Sequence, residues 1–261
     1  MTKLALLVVA LSACVVEPGD GSATVSNVPG NSTDVTDIPR IASNSLLPST
    51  LTSSALTTDR LTASSAAAMG QTANARTVLA YAAECALGDT QSVSFTVAGT
   101  EHTVAGSLGL APGWTAGALD ASDAAWVSAC VMARVNLTGT VVVISARGLT
   151  TALNAGTSER AQYQIEEGAF WGNAFVDLGA VAGHACDGVD QLRDDSYGDL
   201  PLRQCAQWNG VTGSGATPCG FAYAGACAEA CASAGPYSEC AGAAEEPRSE
   251  VVTTFLYGTP R

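Results

Sequence analysis

The chain has 261 residues, 24 acidic against 11 basic side chains, and a formal net charge of −13. Its single lysine is Lys3, so no basic cluster is available for a nucleic-acid backbone, which excludes nucleic acid as an expected partner. The part of the chain beyond residue 74 is long enough to bury one sizeable hydrophobic core.

The N-terminus predicts a lipoprotein signal peptide over residues 1–13. Lys3 precedes a short apolar run that ends in Leu11-Ser12-Ala13-Cys14, and a spanning helix would need about 20 apolar residues. The tetrad LSAC resembles the bacterial lipobox, in which the cysteine is acylated and becomes the first mature residue. Val15 stands where aspartate would signal inner-membrane retention. We therefore expect a bacterial envelope protein that contacts the outer membrane through the lipid on Cys14. An ordinary signal peptide is the alternative, and it would leave Cys14 as a free thiol.

Residues 14–74 predict a mostly disordered tether. Small and polar residues dominate this segment, and it contains no aromatic residue, so it cannot bury enough apolar surface to offset the entropy of ordering. Within it, residues 46–66 place leucine at every fifth position, weakening to Ala66. This degenerate pentad repeat spans barely one coil of a repeat helix, whereas stacked repeats need about three units for stability.

Two helices are predicted in an α+β core over residues 75–182. The first is "ANARTVLAYAAECAL", with Cys85 near its end. The second begins after a capping residue, Asp120, with Asp123 three positions later. Its apolar stripe contains Cys130, so we expect Cys130 to face the core and to pair with Cys85.

Strands alternate with these helices. "SVSFTVAGTEHTVAG" alternates apolar and polar residues and predicts a hairpin. A turn at Gly99-Thr100 would place Val97 opposite His102. The β-branched run "TVVVISARG" predicts a buried strand.

Residues 183–261 predict a loop-rich region held by disulfides, from which the segment "VVTTFLYG" returns to the core as a strand. Eight cysteines follow Cys14, and an even number in an exported chain indicates a disulfide framework. We expect Cys186 to pair with Cys205. The remaining cysteines are expected to pair among themselves: Cys219, Cys227, Cys231 and Cys240. Cys227 and Cys231 stand one helical turn apart if their segment is helical, which would direct them to separate partners.

Four blocks carry a resemblance to a known group of proteins: "GSLGLAPGW", "WVSACVMARVN", "VVVISARG" and "EEGAFWGNAF". Their order and wording are similar to those of an uncharacterised exported lipoprotein family of myxobacteria-like, GC-rich soil bacteria. In that family leucine-rich pentad repeats precede the blocks and a cysteine-rich globular part follows. The resemblance covers residues 44–240 and implies no activity.

The densest candidate site is "IEEGAFWGNAF". Glu166 and Glu167 lie beside aromatic residues, and a carboxyl group against an aromatic wall can act as a general acid. Trp171 and Asn173 are candidates for ligand binding, because aromatic faces and amides suit sugars. Adjacent residues of a strand point to opposite faces, however, so the two glutamates do not form a ready-made acid and base pair.

Metal and cofactor sites are not indicated. Paired zinc spacings, a haem-attachment motif and a C-x-x-C pair are all missing from the sequence. An acidic loop offers candidate calcium ligands, but its spacing differs from the calcium-loop pattern. These residues are Asp187, Asp190, Asp194 and Asp195.

The sequence therefore predicts a lipid-anchored, disulfide-stabilised cell-envelope or surface protein. A binding module for a protein or a glycan is favoured over an enzyme, and no cofactor is expected. The alternative is a secreted hydrolase that uses the carboxylates of Glu166 and Glu167.

Overall fold

The computed structural model describes residues 24–26, 73–134, 143–175, 183–188, 221–232, 235–242 and 246–258. It is an α+β fold, as the sequence predicts. The helices are α1 (Ala73–Ala86), α2 (Ala121–Arg134), α3 (Thr157–Gln162) and α4 (Cys227–Ala230). The strands are β1 (Thr24–Ser26), β2 (Ser92–Val97), β3 (Thr100–Ala105), β4 (Val143–Arg147), β5 (Ile165–Gly172), β6 (Gly183–Asp187), β7 (Ala222–Ala226), β8 (Cys231–Ala232), β9 (Glu239–Cys240) and β10 (Val252–Leu256).

A six-stranded sheet in the order β1-β4-β10-β5-β6-β7 forms the centre of the fold. Every neighbouring pair is antiparallel except β6 and β7. The predicted returning strand is β10, which lies between β4 and β5. Because three of the six strands lie beyond residue 182, the two regions predicted on either side of that residue share one sheet.

The segment predicted as a tether contributes to this sheet. Residues Thr24–Ser26 form β1 and pair with β4 at the sheet edge. The prediction is of a mostly disordered tether, and a strand of three residues within it is compatible with that prediction. The pentad repeat at 46–66 and the lipobox lie outside the described residues.

Helix α2 packs across β5, β10 and β6, and α1 packs on α2. The start of α2 follows the predicted cap, since the backbone N–H of Asp123 donates to Asp120 Oδ1 at 2.8 Å. The prediction of a single apolar stripe understates its burial. Within α2, Ala124, Ala125 and Val127 to Arg134 are all buried, because the helix lies between α1 and the sheet.

The disulfide between Cys85 and Cys130 joins α1 to α2, which is the pair that the two helical apolar faces predict. Nearby, Arg134 forms an ion pair with Glu84 and lies over the ring of Tyr81, 5.0 Å from its centroid. The helix pair is therefore held by a covalent bond and by a largely buried charge pair.

The β2–β3 hairpin turns one residue earlier than expected. Ala98 and Gly99 occupy the turn with φ angles of 50° and 81°, and two-residue turns with positive φ at both positions match the twist of the strands. Phe95 consequently pairs with His102, and Val97 pairs with Thr100. The predicted pairing of Val97 with His102 is wrong. His102 instead stacks on Phe95, 5.5 Å between ring centroids.

Candidate functional site

Glu166 and Glu167 lie on opposite faces of the sheet. The hydroxyl of Tyr237 donates to Glu166 at 2.6 Å, whereas the hydroxyl of Thr254 donates to Glu167 at 2.8 Å. Thr254 lies on the same face of β10 as Val252 and Leu256, which belong to the core under the helices. The register between β5 and β10 also shifts here, from Thr254 opposite Gly168 to Phe255 opposite Glu166. The two carboxylates are therefore separated by the sheet.

Glu166 forms a coupled pair with Tyr237. Burial raises the pKa of the Glu166 carboxyl, and the Tyr237 hydrogen bond opposes that rise. Burial and the adjoining Glu166 carboxylate raise the pKa of the Tyr237 hydroxyl, so this hydroxyl remains a proton donor at neutral pH. The pair can hold a proton, and both Oε2 of Glu166 and the edge of the Phe255 ring lie beside Gly235.

Trp171 is wrong as a ligand-binding candidate, because its side chain is fully buried. Its indole stacks on His184 with ring centroids 5.6 Å apart and packs with Cys186, Cys227 and Cys240. Asn173 is half-buried, and its Oδ1 accepts the backbone N–H of Phe175 at 2.9 Å. Alternation along β5 places Trp171 on the face of the sheet opposite α1 and α2. The sequence alone does not show that this face is covered.

Asp187 is the one calcium candidate among the described residues. Its side chain is buried, and Oδ2 accepts the Tyr223 hydroxyl at 2.7 Å. This bond ties β6 to β7, so the structure gives Asp187 a role in strand pairing. Asp190, Asp194 and Asp195 lie outside the described residues.

The C-terminal cysteines pair differently from the prediction. Cys186 bonds to Cys227, and Cys231 bonds to Cys240, so the predicted Cys186–Cys205 bond is wrong. Strand β6 lies parallel to β7, and this pairing brings Cys186 to the start of α4. Cys227 and Cys231 stand at the two ends of that single helical turn and have separate partners, as their spacing predicts. Cys205 and Cys219 lie outside the described residues.

These two bridges touch each other. The non-bonded sulfur atoms of Cys186 and Cys231 are 3.7 Å apart. The sulfur atoms of Cys186, Cys227 and Cys231 all lie within 4.8 Å of one another, which is the one group among the described residues with the spacing of metal ligands. Because each of these sulfurs is in a disulfide, none is a thiolate that could bind a metal in this state.

An exposed aromatic pair lies at one end of β10. Tyr257 is 62% exposed and meets the half-buried Tyr163 edge to face, with ring centroids 5.7 Å apart. The backbone N–H of Gln164 donates to Gly258 at 3.1 Å, and that of Gly258 donates to Gln162 at 2.9 Å. Arg147, whose guanidinium lies 3.9 Å from the Phe255 ring centroid, donates to the Tyr163 carbonyl. The backbone segments that carry the two tyrosines are therefore joined to each other.

Sequence reasoning did not select Tyr237, Tyr163 or Tyr257. Tyr257 could have been found, since it continues the alternation Thr253, Phe255, Tyr257 past the end of a strand. Tyr163 and Tyr237 reach their partners only through long-range pairing, which no local pattern encodes.

Comparisons with protein-family models, with curated proteins and with solved structures find no match to this chain. Among the residues that the structure describes, no helix combines the length and the apolar character needed to cross a membrane.

Proposed function

We propose that this protein is a lipid-anchored cell-envelope protein whose folded part binds a glycan on the Tyr163–Tyr257 pair. The anchoring rests on the tetrad Leu11-Ser12-Ala13-Cys14, and Val15 favours the outer membrane over the inner. The three disulfides of the described residues support an oxidising compartment.

The exposed ring of Tyr257 is the observation that carries the binding role. Tyrosine presents an apolar face and a polar tip, which suits contacts made partly in water. The backbone on both sides of the pair is hydrogen-bonded and the two rings pack against each other, so we expect binding to cost little further ordering. Gln162 and Gln164 flank Tyr163 in sequence and are exposed. Their Nε2 atoms donate to Ser158 and Ala161, which leaves the amide oxygens to accept from sugar hydroxyls.

The size of this surface favours a sugar ring over a protein partner. Among the described residues, the exposed large apolar side chains are Leu149 and Tyr257. Leu149 follows the end of β4 and Tyr257 follows the end of β10, and since these strands are antiparallel the two residues lie at opposite ends of the sheet. A stable protein interface buries about 800 Å² on each partner, whereas a single exposed ring matches one saccharide unit.

Binding is tested by screening the mature protein on a glycan array beside Tyr257→Ala and Leu149→Ala. Both variants remove an exposed apolar side chain, but only Tyr257→Ala removes the proposed platform. We expect Tyr257→Ala to lose binding and Leu149→Ala to retain it. Equal loss in both variants, or capture of an envelope protein that does not depend on Tyr257, would contradict the glycan role.

Anchoring is tested separately with Cys14→Ser. This variant should lose incorporation of a labelled fatty acid and should leave the membrane fraction, because the acylated sulfur is gone. Continued labelling of Cys14→Ser would overturn the lipid assignment and would leave the glycan role standing.

The alternative, a hydrolase acting near Glu166 and Glu167, has one supporting observation, which is the raised pKa of the Glu166 carboxyl beside Tyr237. A reaction that needs both carboxylates on one substrate is not favoured, because their hydrogen bonds lie on opposite faces of the sheet. Hydrolysis of an array-positive glycan by wild type but not by Glu166→Gln would favour this alternative.

A further inference from the structure

The two C-terminal disulfides differ in their access to solvent. Cys186, Cys227 and Cys240 are at most 1% exposed, whereas Cys231 is half-buried. A thiolate from outside can therefore approach the Cys231–Cys240 bridge at Cys231, while the Cys186–Cys227 bridge is enclosed by Ala169, Trp171 and Tyr237.

The enclosed bridge lies within reach of Cys231. Sγ of Cys231 is 3.7 Å from Sγ of Cys186, which is van der Waals contact between two sulfur atoms. Thiol–disulfide exchange needs a thiolate beside a disulfide sulfur, and proximity converts such a reaction into an intramolecular step. Sγ of Cys231 also lies within 4.8 Å of Sγ of Cys227, so the side chain of Cys231 must rotate, once it is released from Cys240, to come in line with the Cys186–Cys227 bond. Helix α4 maintains this arrangement, because it begins at Cys227, which is bonded to Cys186, and Cys231 caps its C-terminal end.

From this geometry we propose that the two bridges form a thiol–disulfide exchange pair that accepts two electrons from an external dithiol through Cys231. A thiolate of the dithiol attacks Sγ of Cys231, the Cys231–Cys240 bond breaks, and Cys240 leaves as a thiolate. The second thiol of the dithiol then attacks the dithiol's first sulfur, which is bonded to Sγ of Cys231 in the mixed disulfide. This step oxidises the dithiol and releases Cys231 as a thiolate.

The Cys231 thiolate then attacks Sγ of Cys186. A Cys186–Cys231 bond forms, the Cys186–Cys227 bond breaks, and Cys227 leaves. The thiolates of Cys227 and Cys240 take up the two protons that the dithiol has lost. One disulfide is retained, two thiols are gained, and the dithiol has become a disulfide.

The wild-type protein tests this sequence directly. The full mature chain is treated with an equimolar amount of dithiothreitol, quenched with acid to stop exchange by protonating thiolates, alkylated and digested for mass spectrometry. We expect loss of the Cys186–Cys227 peptide, gain of a Cys186–Cys231 peptide, and alkylation at Cys227 and Cys240. The Cys85–Cys130 peptide should stay intact, because both of those cysteines are fully buried.

Two matched variants test the same step without a reductant. Cys240→Ser leaves a thiol on Cys231, beside Cys186, and Cys231→Ser leaves a thiol on Cys240, which is not in the group of mutually close sulfurs. We expect Cys240→Ser to show a Cys186–Cys231 bond and alkylation at Cys227, and Cys231→Ser to be alkylated only at Cys240.

The proposal is overturned if the wild-type protein is alkylated at Cys231 and Cys240 while the Cys186–Cys227 bond persists. It is also overturned if Cys240→Ser is alkylated only at Cys231. The wild-type measurement decides the matter if a variant does not fold.

Discussion

Removing the Cys85–Cys130 bridge should destabilise the protein more than removing Cys231–Cys240. A disulfide restricts the unfolded chain, and the restriction grows with the length of the closed loop. The sequence separations are 45 residues for Cys85–Cys130 and 9 for Cys231–Cys240. At 25 °C the loop-entropy relation converts these separations into about 4 and about 2.5 kcal/mol.

The two effects can be compared directly because the loops do not overlap. Residues 85–130, 186–227 and 231–240 are separate segments of the chain, so opening one loop leaves the length of the others unchanged. Burial acts in the same direction, since Cys85 and Cys130 are both fully buried between α1 and α2 and their loss also removes packing contacts.

The assay is denaturant unfolding of the protein, followed by far-ultraviolet circular dichroism, for Cys85→Ala/Cys130→Ala and Cys231→Ala/Cys240→Ala. Alanine removes each sulfur without burying a hydroxyl. We expect the first variant to lose about 1.5 kcal/mol more free energy of unfolding than the second. An equal loss, or a larger loss in Cys231→Ala/Cys240→Ala, would refute the assignment of these bridges' stability to loop closure.

Two further predictions concern the sheet. Because burial raises the folded pKa of Glu166 above its ordinary 4.5, the folded protein favours the protonated carboxyl, and the free energy of unfolding should fall as pH rises through and above 4.5. Glu166→Gln should reduce this pH slope in denaturant titrations and leave the part due to Glu84 and Asp123, whose pKa values are also raised. Tyr237→Phe should steepen the slope, because it removes the hydrogen bond that lowers the pKa of Glu166, and should cost about 1–3 kcal/mol. An unchanged slope in both variants would contradict the pairing. At Gly183 an added Cβ would lie 2.1 Å from Sδ of Met132, so Gly183→Ala should cost about 1–3 kcal/mol through overpacking. Met132→Ala should suppress that cost in a double-mutant cycle, and strictly additive losses would place the strain elsewhere.

Patterns within short stretches of the sequence predict individual helices and hairpins. The apolar spacing and the Asp120 cap identify α2, and alternation identifies the β2–β3 hairpin. The predicted turn differs by one residue because Gly99-Thr100 suits a turn with glycine first, whereas the structure has positive φ at Ala98 and Gly99. Order along the chain does not specify that β10 inserts between β4 and β5, which is a long-range pairing.

The candidate site was less predictable for the same reason. Opposite faces for Glu166 and Glu167 follow from strand alternation, and the structure has this arrangement. Burial of Trp171 does not follow, because it depends on which distant segment covers that face of the sheet. The partner of Cys186 depends in turn on the parallel pairing of β6 and β7, and sequence spacing alone favours a nearer cysteine.

The two faces of the sheet are covered by different means, and this difference bears on the proposed exchange. The helices α1 and α2 cover one face with an extensive apolar core. On the other face the covering cluster contains Tyr237, Val251 and three buried cysteines, and a small apolar cluster contributes little stability unless it is cross-linked. The bond from Cys186 of β6 to the α4 turn fastens this layer to the sheet. In the proposed exchange the bond of Cys186 passes from Cys227, at the start of α4, to Cys231, the C-terminal cap of that turn, so the layer stays fastened to the sheet while it accepts two electrons.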